Sequence, residues 1–435
     1  MKRVYVGMMT LWVGMMVLVP MAMAAEETAP GGSTGATMGQ EAKGGGDWFG
    51  PETGYIHPLL SVTQAHTDNL YNNQAKASDF YNIITPGVWM AVPASKEELA
   101  QFNTTSLAPG GLAMSNDKTK AMGRYQAYLS YNADIYRYHD KTDENVTDHK
   151  AGAFFQYNLR GGLSFDFVDK WNRGHDPRGT GDSTTLDKFK TNLFGVLASY
   201  DLTKRFQLQA EYDTFKVDYD NGLDERDRDD DTYGVSLHYK YSPKTTFLVE
   251  YKVIDVDYDL ATYSDGTEQQ FLGGIKWEAT AKTTAKLKIG YGNKDFDQAG
   301  KSDADNLIME LSARYAFTPK TSLQVTGSRK ANETTIEGTD YVRTDTLTVA
   351  YLQQITPRIA AVANLIYTND NYSGIQTGET KERDDDVVTF APALQYSFNK
   401  WLFADLVYSY TKRDSNFDQF DYETNQIMIR LASSF

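Results

Sequence analysis

The chain contains no cysteine among its 435 residues, and it has only six histidines and 12 prolines. Without cysteine it forms no disulfides. No two histidines have metal-ligand spacing on one strand and no nucleophile elbow occurs, so we expect no catalytic residues, no metal site and no cofactor, and the chain is not predicted to be an enzyme. The net charge of −15 argues against a nucleic-acid partner.

Long hydrophobic runs are also absent after the first 25 residues, and this excludes a bundle of membrane-spanning helices. The N-terminus itself has Lys2 and Arg3, an apolar run over residues 4–19, and small residues up to Ala25. This pattern predicts a cleaved signal peptide over residues 1–25. Residues 26–54, rich in glycine, alanine, serine and threonine, are predicted to form a flexible periplasmic segment.

Aromatic residues are abundant, with 29 Tyr, 21 Phe and 6 Trp, and many occupy every second position. In residues 233–241 and 247–253, tyrosine, valine, leucine and phenylalanine alternate with small, polar or charged residues. Such alternation places one set of side chains on each face of a strand. Pro243 between the two runs suits a tight turn, so the stretch is predicted to be a hairpin with one apolar and one polar face.

This hairpin repeats along the chain with a spacing of about 39 residues. Propeller blades have a similar period of about 40 to 45 residues, but a blade contains four short strands and each unit here has two long ones. Short turns alternate with long polar connections such as residues 221–232 and 369–386. Short turns on one side and long loops on the other are typical of a bacterial outer-membrane barrel.

Nine hairpins beginning at Tyr55 predict an all-β, transmembrane, antiparallel up-and-down barrel of about 18 strands over residues 55–435. The predicted first hairpin comprises residues 55–67 and 79–92. Residues 93–121 lack the alternation and are interpreted as an irregular insertion that lies in the periplasm or folds into the lumen. Each strand can supply the roughly 9 to 11 residues that a tilted membrane strand needs.

Charged residues on the polar face are predicted to line the lumen, since charges this frequent require a wet interior. Opposite charges across a pore set its selectivity, although they could also simply satisfy one another across strands. The acidic composition leads us to expect a weak preference for cations. The pore-lining candidates are Glu211, Asp213, Lys240, Glu250, Lys252, Lys276, Lys286, Lys288, Glu310, Arg314, Asp405 and Arg430.

The C-terminal residues Phe435, Leu431, Ile429 and Ile427 alternate along an amphipathic last segment. A terminal aromatic residue of this kind resembles the signal that the outer-membrane assembly machinery recognises. We therefore expect that machinery, outer-membrane lipid and lipopolysaccharide as partners.

The acidic run over residues 224–231 allows two interpretations. Its carboxylates could bind Ca²⁺, which prefers six to eight oxygen ligands. The simpler interpretation is a solvated loop kept soluble by its charge, because the glycine-punctuated ligand pattern of an EF-hand is missing.

Short motifs of the first hairpin carry a family resemblance. They are Ser61-Val62-Thr63, Thr67-Asp68-Asn69-Leu70-Tyr71, Asp79 and Ile84-Thr85-Pro86-Gly87-Val88. The chain resembles the β-barrel porin 2 family, whose members are outer-membrane barrels sometimes found with exopolysaccharide biosynthesis genes. The resemblance implies a barrel and carries over no catalytic residues.

The sequence thus favours a porin-like channel for small polar solutes, because a barrel of 16 to 18 strands can hold an aqueous pore. One alternative is an accessory barrel in surface polysaccharide or exopolysaccharide export, which would work with export proteins. Another is a plugged structural or adhesive barrel that acts through its loops.

Overall fold

The computed structural model describes residues 54–94, 105–111, 123–176, 186–220, 222–260, 263–280, 282–298, 301, 304–334, 336, 338–376 and 378–434. The predicted signal peptide, residues 26–53 of the predicted flexible segment and Phe435 lie outside these residues. In chain order the strands are β1 (Ile56–Thr67), β2 (Asp79–Val92), β3 (Tyr125–Tyr138), β4 (Val146–Asn158), β5 (Leu163–His175), β6 (Lys188–Asp201), β7 (Phe206–Tyr219), β8 (Arg228–Ser242), β9 (Thr245–Tyr258), β10 (Gly266–Thr280), β11 (Thr283–Phe296), β12 (Ala304–Thr318), β13 (Thr321–Asn332), β14 (Tyr341–Thr356), β15 (Ile359–Ser373), β16 (Asp384–Ser397), β17 (Leu402–Ser415) and β18 (Tyr422–Ser434).

The 18 strands form one closed antiparallel sheet in which each strand pairs with its neighbours in the chain. Pairing of β1 with β18, from Leu59 opposite Ser434 to Thr67 opposite Gln426, closes the barrel. The predicted 18-stranded barrel is confirmed, and so is the predicted first hairpin, which forms β1 and β2. Closure leaves no unpaired strand edge, which is what a sheet inside a membrane requires.

The long connections are shorter than predicted. Residues 221–232 include the first residues of β8, which begins at Arg228, and residues 369–386 include the end of β15 and the start of β16. Three short 3₁₀ turns, Thr142–Glu144, Asp224–Arg226 and Asp418–Phe420, lie in such connections. No helix in the described part of the chain is long and apolar enough to cross a membrane.

Several tight turns, at the end of the barrel opposite the long connections, are stabilised by the same type of hydrogen bond. At the β8–β9 turn the hydroxyl of Ser242 accepts a hydrogen bond from the N–H of Lys244 at 3.2 Å. Thr318 accepts from Lys320 at 3.1 Å and Thr356 from Arg358 at 3.2 Å in the same way. A serine or threonine that bonds the backbone two residues on stabilises a turn, and the proline between them has no N–H to satisfy.

Alternate side chains point to the two faces of the barrel as the periodicity predicts. On β8, Tyr233, Val235 and Leu237 are exposed, whereas Ser236 and His238 are buried. In a closed barrel the buried set faces the interior and the exposed set faces outward. The outer surface is therefore apolar, which suits contact with lipid.

Exposed aromatic residues mark two levels on this outer surface. One row lies beside the short turns, as predicted, and includes Tyr241, Trp277, Phe317 and Trp401. The sequence did not reveal the second row, in which tyrosine hydroxyls donate hydrogen bonds to polar groups nearer the long loops. Its members are Tyr212 to Asp231 (3.0 Å), Tyr251 to Gln269 (3.0 Å), Tyr367 to Asp386 (2.6 Å) and Tyr408 to Asn425 (2.7 Å). Amphipathic rings of this kind sit at membrane interfaces, so the two rows bound the apolar band.

Candidate permeation pathway

The inner face of β7 to β12 carries a chain of ion pairs, here called the ladder. Lys252 Nζ lies 2.7 Å from Glu211 Oε1 and 3.4 Å from Glu250 Oε1. Lys288 Nζ lies 3.0 Å from Glu250 Oε2 and 3.2 Å from Glu310 Oε2. Five of the predicted pore-lining residues therefore form one continuous network of opposite charges across the barrel wall.

The register of β7, β8 and β9 brings two residues of the ladder together. Glu211 on β7 and Lys252 on β9 both lie opposite Gly234 of the intervening strand β8. A Cβ atom at Gly234 would come within 2.7 Å of the Glu211 side chain. Because glycine leaves this space empty, the carboxylate and the ammonium group meet across the strand that separates them.

The ladder is open to the lumen at one end only. The side chain of Glu310 is 29% exposed, whereas those of Glu250 and Lys288 are 1% exposed. Three carboxylates and two ammonium groups also leave the network with one excess negative charge. Since the buried charges neutralise one another, the excess charge of the network is exposed to the lumen chiefly at Glu310.

The other seven predicted residues are not members of the ladder, although Asp213 lines the same cavity as Lys252 and Glu310. Asp405 and Arg430 form a separate pair at 2.6 Å on β17 and β18. Lys240 pairs with Asp201 at 3.2 Å, and Lys276 lies 3.7 Å from Glu278. Asp213 is buried two residues beyond Glu211 on β7, and Lys286 and Arg314 are partly buried. A role in permeation stays a prediction for all twelve residues.

An inner segment, residues 105–111, lies within the barrel at the end of the long loops. Arg228, the first residue of β8, donates hydrogen bonds to the carbonyl of Ser106 at 2.6 Å and to that of Ala108 at 3.3 Å. The N–H of Glu333, just after β13, donates to the carbonyl of Leu107 at 2.7 Å. The strands that flank this part of the chain, β2 and β3, face the short-turn end where it departs. The insertion predicted over residues 93–121 thus reaches the far end of the lumen at residues 105–111.

Two glycines shape the inner segment. Gly110 and Gly111 have φ values of +70° and +66°, which favour glycine. A Cβ at Gly111 would overlap the ring of the buried Phe215 on β7. The N–H of Gly110 donates to Asp230 Oδ2 at 2.8 Å, and Asp230 Oδ1 in turn accepts from Arg228 Nε at 2.9 Å. The segment is therefore held against the inner wall by backbone contacts that a larger residue would prevent.

Glu333 stays ionised beside this attachment. Burial alone would raise the pKa of its carboxyl, but the Lys294 ammonium and the Arg228 guanidinium hold that pKa below its usual value. The carboxylate pairs with Lys294 and accepts a hydrogen bond from the Tyr258 hydroxyl at 3.0 Å. A charge fixed in this way orders the end of β13 where it meets Leu107.

A cavity separates the inner segment from the ladder. Its volume is about 670 Å³, including its open side. The polar residues that line it include Asp213, Lys252, Gln270, Glu310, Ser328 and Lys330, and Pro109 and Gly110 form part of its boundary. The ladder and the inner segment therefore face the same space.

The sequence did not single out Arg228 or Asp230, because the acidic run over residues 224–231 was interpreted as a solvated loop. That interpretation is wrong for these two side chains, which are 2% and 0% exposed inside the barrel. The signal was present, since residues 228, 230 and 232 continue the inward-facing alternation of β8. Among the described residues, no group of three or more Asp, Glu, His or Cys side chains is placed to hold a metal ion.

Leu431, Ile429 and Ile427 are exposed on the outer face of β18. Their predicted role as an assembly signal together with Phe435 stays a prediction.

A closed, lipid-faced barrel with a charged interior defines a porin-like outer-membrane protein. The family model described as "Putative beta-barrel porin 2" matches residues 118–435, and the chain belongs to this family. Porins are channels rather than enzymes, and the protein is located in the bacterial outer membrane. No curated protein is similar to the chain in sequence.

Several solved porin structures are similar to the chain at low sequence identity. Acinetobacter baumannii OccAB4 is 11% identical with a TM-score of 0.44, over 88% of this chain and 100% of that one. The outer membrane protein OpdK from Pseudomonas aeruginosa is 9% identical with a TM-score of 0.44, over 87% and 99%. A BenF-like porin from Pseudomonas fluorescens Pf-5 is 9% identical with a TM-score of 0.44, over 87% and 99%. These similarities concern the fold alone.

Proposed function

We propose that the barrel is a channel for small polar solutes with a weak preference for cations. The observation that carries this proposal is the ladder, whose excess negative charge is exposed at Glu310 and faces the open cavity beneath the inner segment. A carboxylate beside a water-filled path attracts cations and repels anions. The buried part of the ladder keeps the wall rigid and nearly neutral, so the preference is weak.

The long connections between strands support the same direction of selectivity. The nine long connections between strands contain 22 Asp or Glu residues and 7 Lys or Arg residues. Their field raises the local concentration of cations at the entrance. The entrance and the exposed end of the ladder at Glu310 therefore favour the same sign of charge.

A Glu310→Gln substitution tests the proposed role of the ladder. We expect the ratio of potassium to chloride permeability, measured from the reversal potential in a planar bilayer, to fall by roughly two- to fivefold, as expected for loss of one charge near the path. Glu423→Gln is the matched control, since Glu423 is exposed on the outer face of β18. An equal change in both variants, or no change in Glu310→Gln, would contradict the proposal.

A plugged barrel is the second candidate, and the inner segment favours it. Residues 105–108 are buried and are bonded to β8 and to the end of β13. In this case the unaltered protein does not conduct, and only a variant without the segment forms a pore. Conductance before and after removal of the segment separates the two functions.

A further inference from the structure

The seven tight turns, which lie at the end of the barrel opposite the long connections, share one charge sign. Every turn from β4–β5 to β16–β17 contains at least one lysine or arginine, and none contains aspartate or glutamate. All of these basic residues are exposed. Together they are called the basic collar: Arg160, Lys204, Arg205, Lys244, Lys282, Lys320, Arg358 and Lys400.

The collar contrasts with the net charge of −15 of the whole chain. The long connections at the other end account for an acidic excess of that size, with 22 acidic and 7 basic residues. The barrel is thus acidic at one end and basic at the other. The basic end cannot be explained by composition alone.

The collar is fixed at the level of the membrane surface. Four of its turns are only two residues long, so they have no chain with which to project away from the barrel. Lys244 Nζ donates to the carbonyl of Ala279 at 2.8 Å and Lys282 Nζ to that of Phe317 at 3.5 Å, so both side chains lie along the rim toward the next hairpin. Exposed aromatic residues, including Trp277 and Phe317, lie immediately beside them. Because such aromatic rows mark the interface, the ammonium groups lie at the depth of lipid headgroups.

We propose that the basic collar binds the phosphate groups of anionic phospholipids in the leaflet that the tight turns face. The short turns of outer-membrane barrels face the periplasm, and basic residues close to an anionic lipid surface are attracted to it. A phosphate at the rim can contact ammonium groups of adjacent turns while its acyl chains lie against the apolar outer face. Peptidoglycan is a poorer fit, because the short turns hold the charges against the membrane.

Retention of lipid by the folded, detergent-solubilised protein tests this inference. The protein is exposed to equal amounts of phosphatidylglycerol and phosphatidylcholine with identical acyl chains, and retained lipids are counted by native mass spectrometry. We expect phosphatidylglycerol to be retained preferentially. Lys282→Gln combined with Lys320→Gln should weaken this retention by about thirtyfold at their part of the rim, and 1 M salt should reduce it in the unaltered protein.

Two controls distinguish charge at the collar from charge in general. Lys76→Gln combined with Lys141→Gln removes two exposed lysines from the long loops and should leave retention unchanged. Lys282→Arg combined with Lys320→Arg keeps the charge and should keep the lipid. Heat-modifiable migration on a gel establishes that every variant is folded.

Four results would overturn the inference. They are equal retention of the two lipids, an equal loss in the long-loop control, full displacement of phosphatidylglycerol by inorganic phosphate at the same phosphate concentration, and collar-dependent binding to isolated peptidoglycan without any lipid preference. The third result would indicate a site for free anions, and the fourth would assign the collar to the cell wall.

Discussion

The two halves of the barrel interior are built differently although their outer faces are alike. The charged wall, β7 to β13, carries the ladder and holds the inner segment. The other wall, β15 to β18 with β1 to β5, contains two clusters of buried hydrophobic side chains beside separate ion pairs such as Lys150 with Asp134 and Arg430 with Asp405, and is here called the apolar wall. In one of them Trp89 stacks on His57 with ring centroids 3.6 Å apart and lies 5.7 Å from Tyr128.

This difference shows that contact with lipid requires apolar side chains only at the outward-facing positions of each strand. Phe80, Ile84 and Met90 on the outside of β2 are apolar, but so are Tyr81, Ile83 and Trp89 on its inside. An inner face can therefore carry a connected network of charges beside the inner segment, or pack as a hydrophobic core. The proposed pathway runs along the charged wall.

The largest expected effect comes from removing the inner segment from the charged wall. Val92 of β2 lies opposite Ala127 of β3, so residues 95–124 can be replaced by a two-residue Pro-Lys turn copied from β8–β9. We expect single-channel conductance to rise severalfold because the inner segment no longer occupies the lumen beside the charged wall. Placing the same turn between β4 and β5 is the control and should leave conductance unchanged. Unaltered conductance after the replacement would show that the segment does not obstruct the path.

Breaking the ladder should destabilise the charged wall. Lys288→Met leaves Glu250 and Glu310 without their shared cation, and loss of one partner of a buried pair costs about 3 to 5 kcal/mol of unfolding free energy. The same variant should increase cation preference, because Glu310 is no longer neutralised. Urea unfolding in lipid vesicles and the reversal potential measure the two effects. Lys412→Met, at a partly exposed position on the outside of β17 where Lys412 pairs with Asp414, is the control and should change neither.

The apolar wall should show a similar loss of stability without the change in selectivity. Phe154→Ala removes a buried ring from the cluster around Trp89 and Tyr128, at a cost of about 3 to 5 kcal/mol. We expect the reversal potential to stay that of the unaltered protein. A shift as large as that of Lys288→Met would mean that the two walls do not have separate roles.

A smaller, pH-dependent effect is expected at the loop between β5 and β6. Burial and the nearby Asp187 carboxylate raise the pKa of Asp176 to about 7. The folded state therefore keeps a proton that the unfolded chain releases near pH 4, and stability falls as the pH rises from about 4 to 7. Between pH 6 and 8 the free energy of unfolding falls by about 1 kcal/mol. Asp176→Asn should remove this part of the pH dependence in urea unfolding, and an unchanged profile would contradict the assignment.

Most of the fold could be predicted from sequence because each strand alternates locally and each tight turn carries its own signal, as at Ser242 and Pro243. The ladder could be predicted only as a set of inward charges. That Glu211 meets Lys252 across β8 depends on register and on the space at Gly234, which no local pattern specifies.

The inner segment and the apolar wall could be predicted from the sequence even less well than the ladder. Residues 105–111 contact Arg228 and Glu333, more than 110 positions away in the chain, so nothing in their own sequence indicates the partner. On β2 both faces are apolar, and alternation cannot then distinguish them. In both places tertiary contacts, rather than local periodicity, determine the structure.

The reversal potential of single channels of the unaltered protein, in a planar bilayer under a tenfold gradient of potassium chloride, is the most direct test of the proposed pathway. A channel along the charged wall predicts discrete conductance steps and a reversal potential displaced moderately toward that of potassium. Absence of conductance, or a displacement toward the chloride potential, would contradict it.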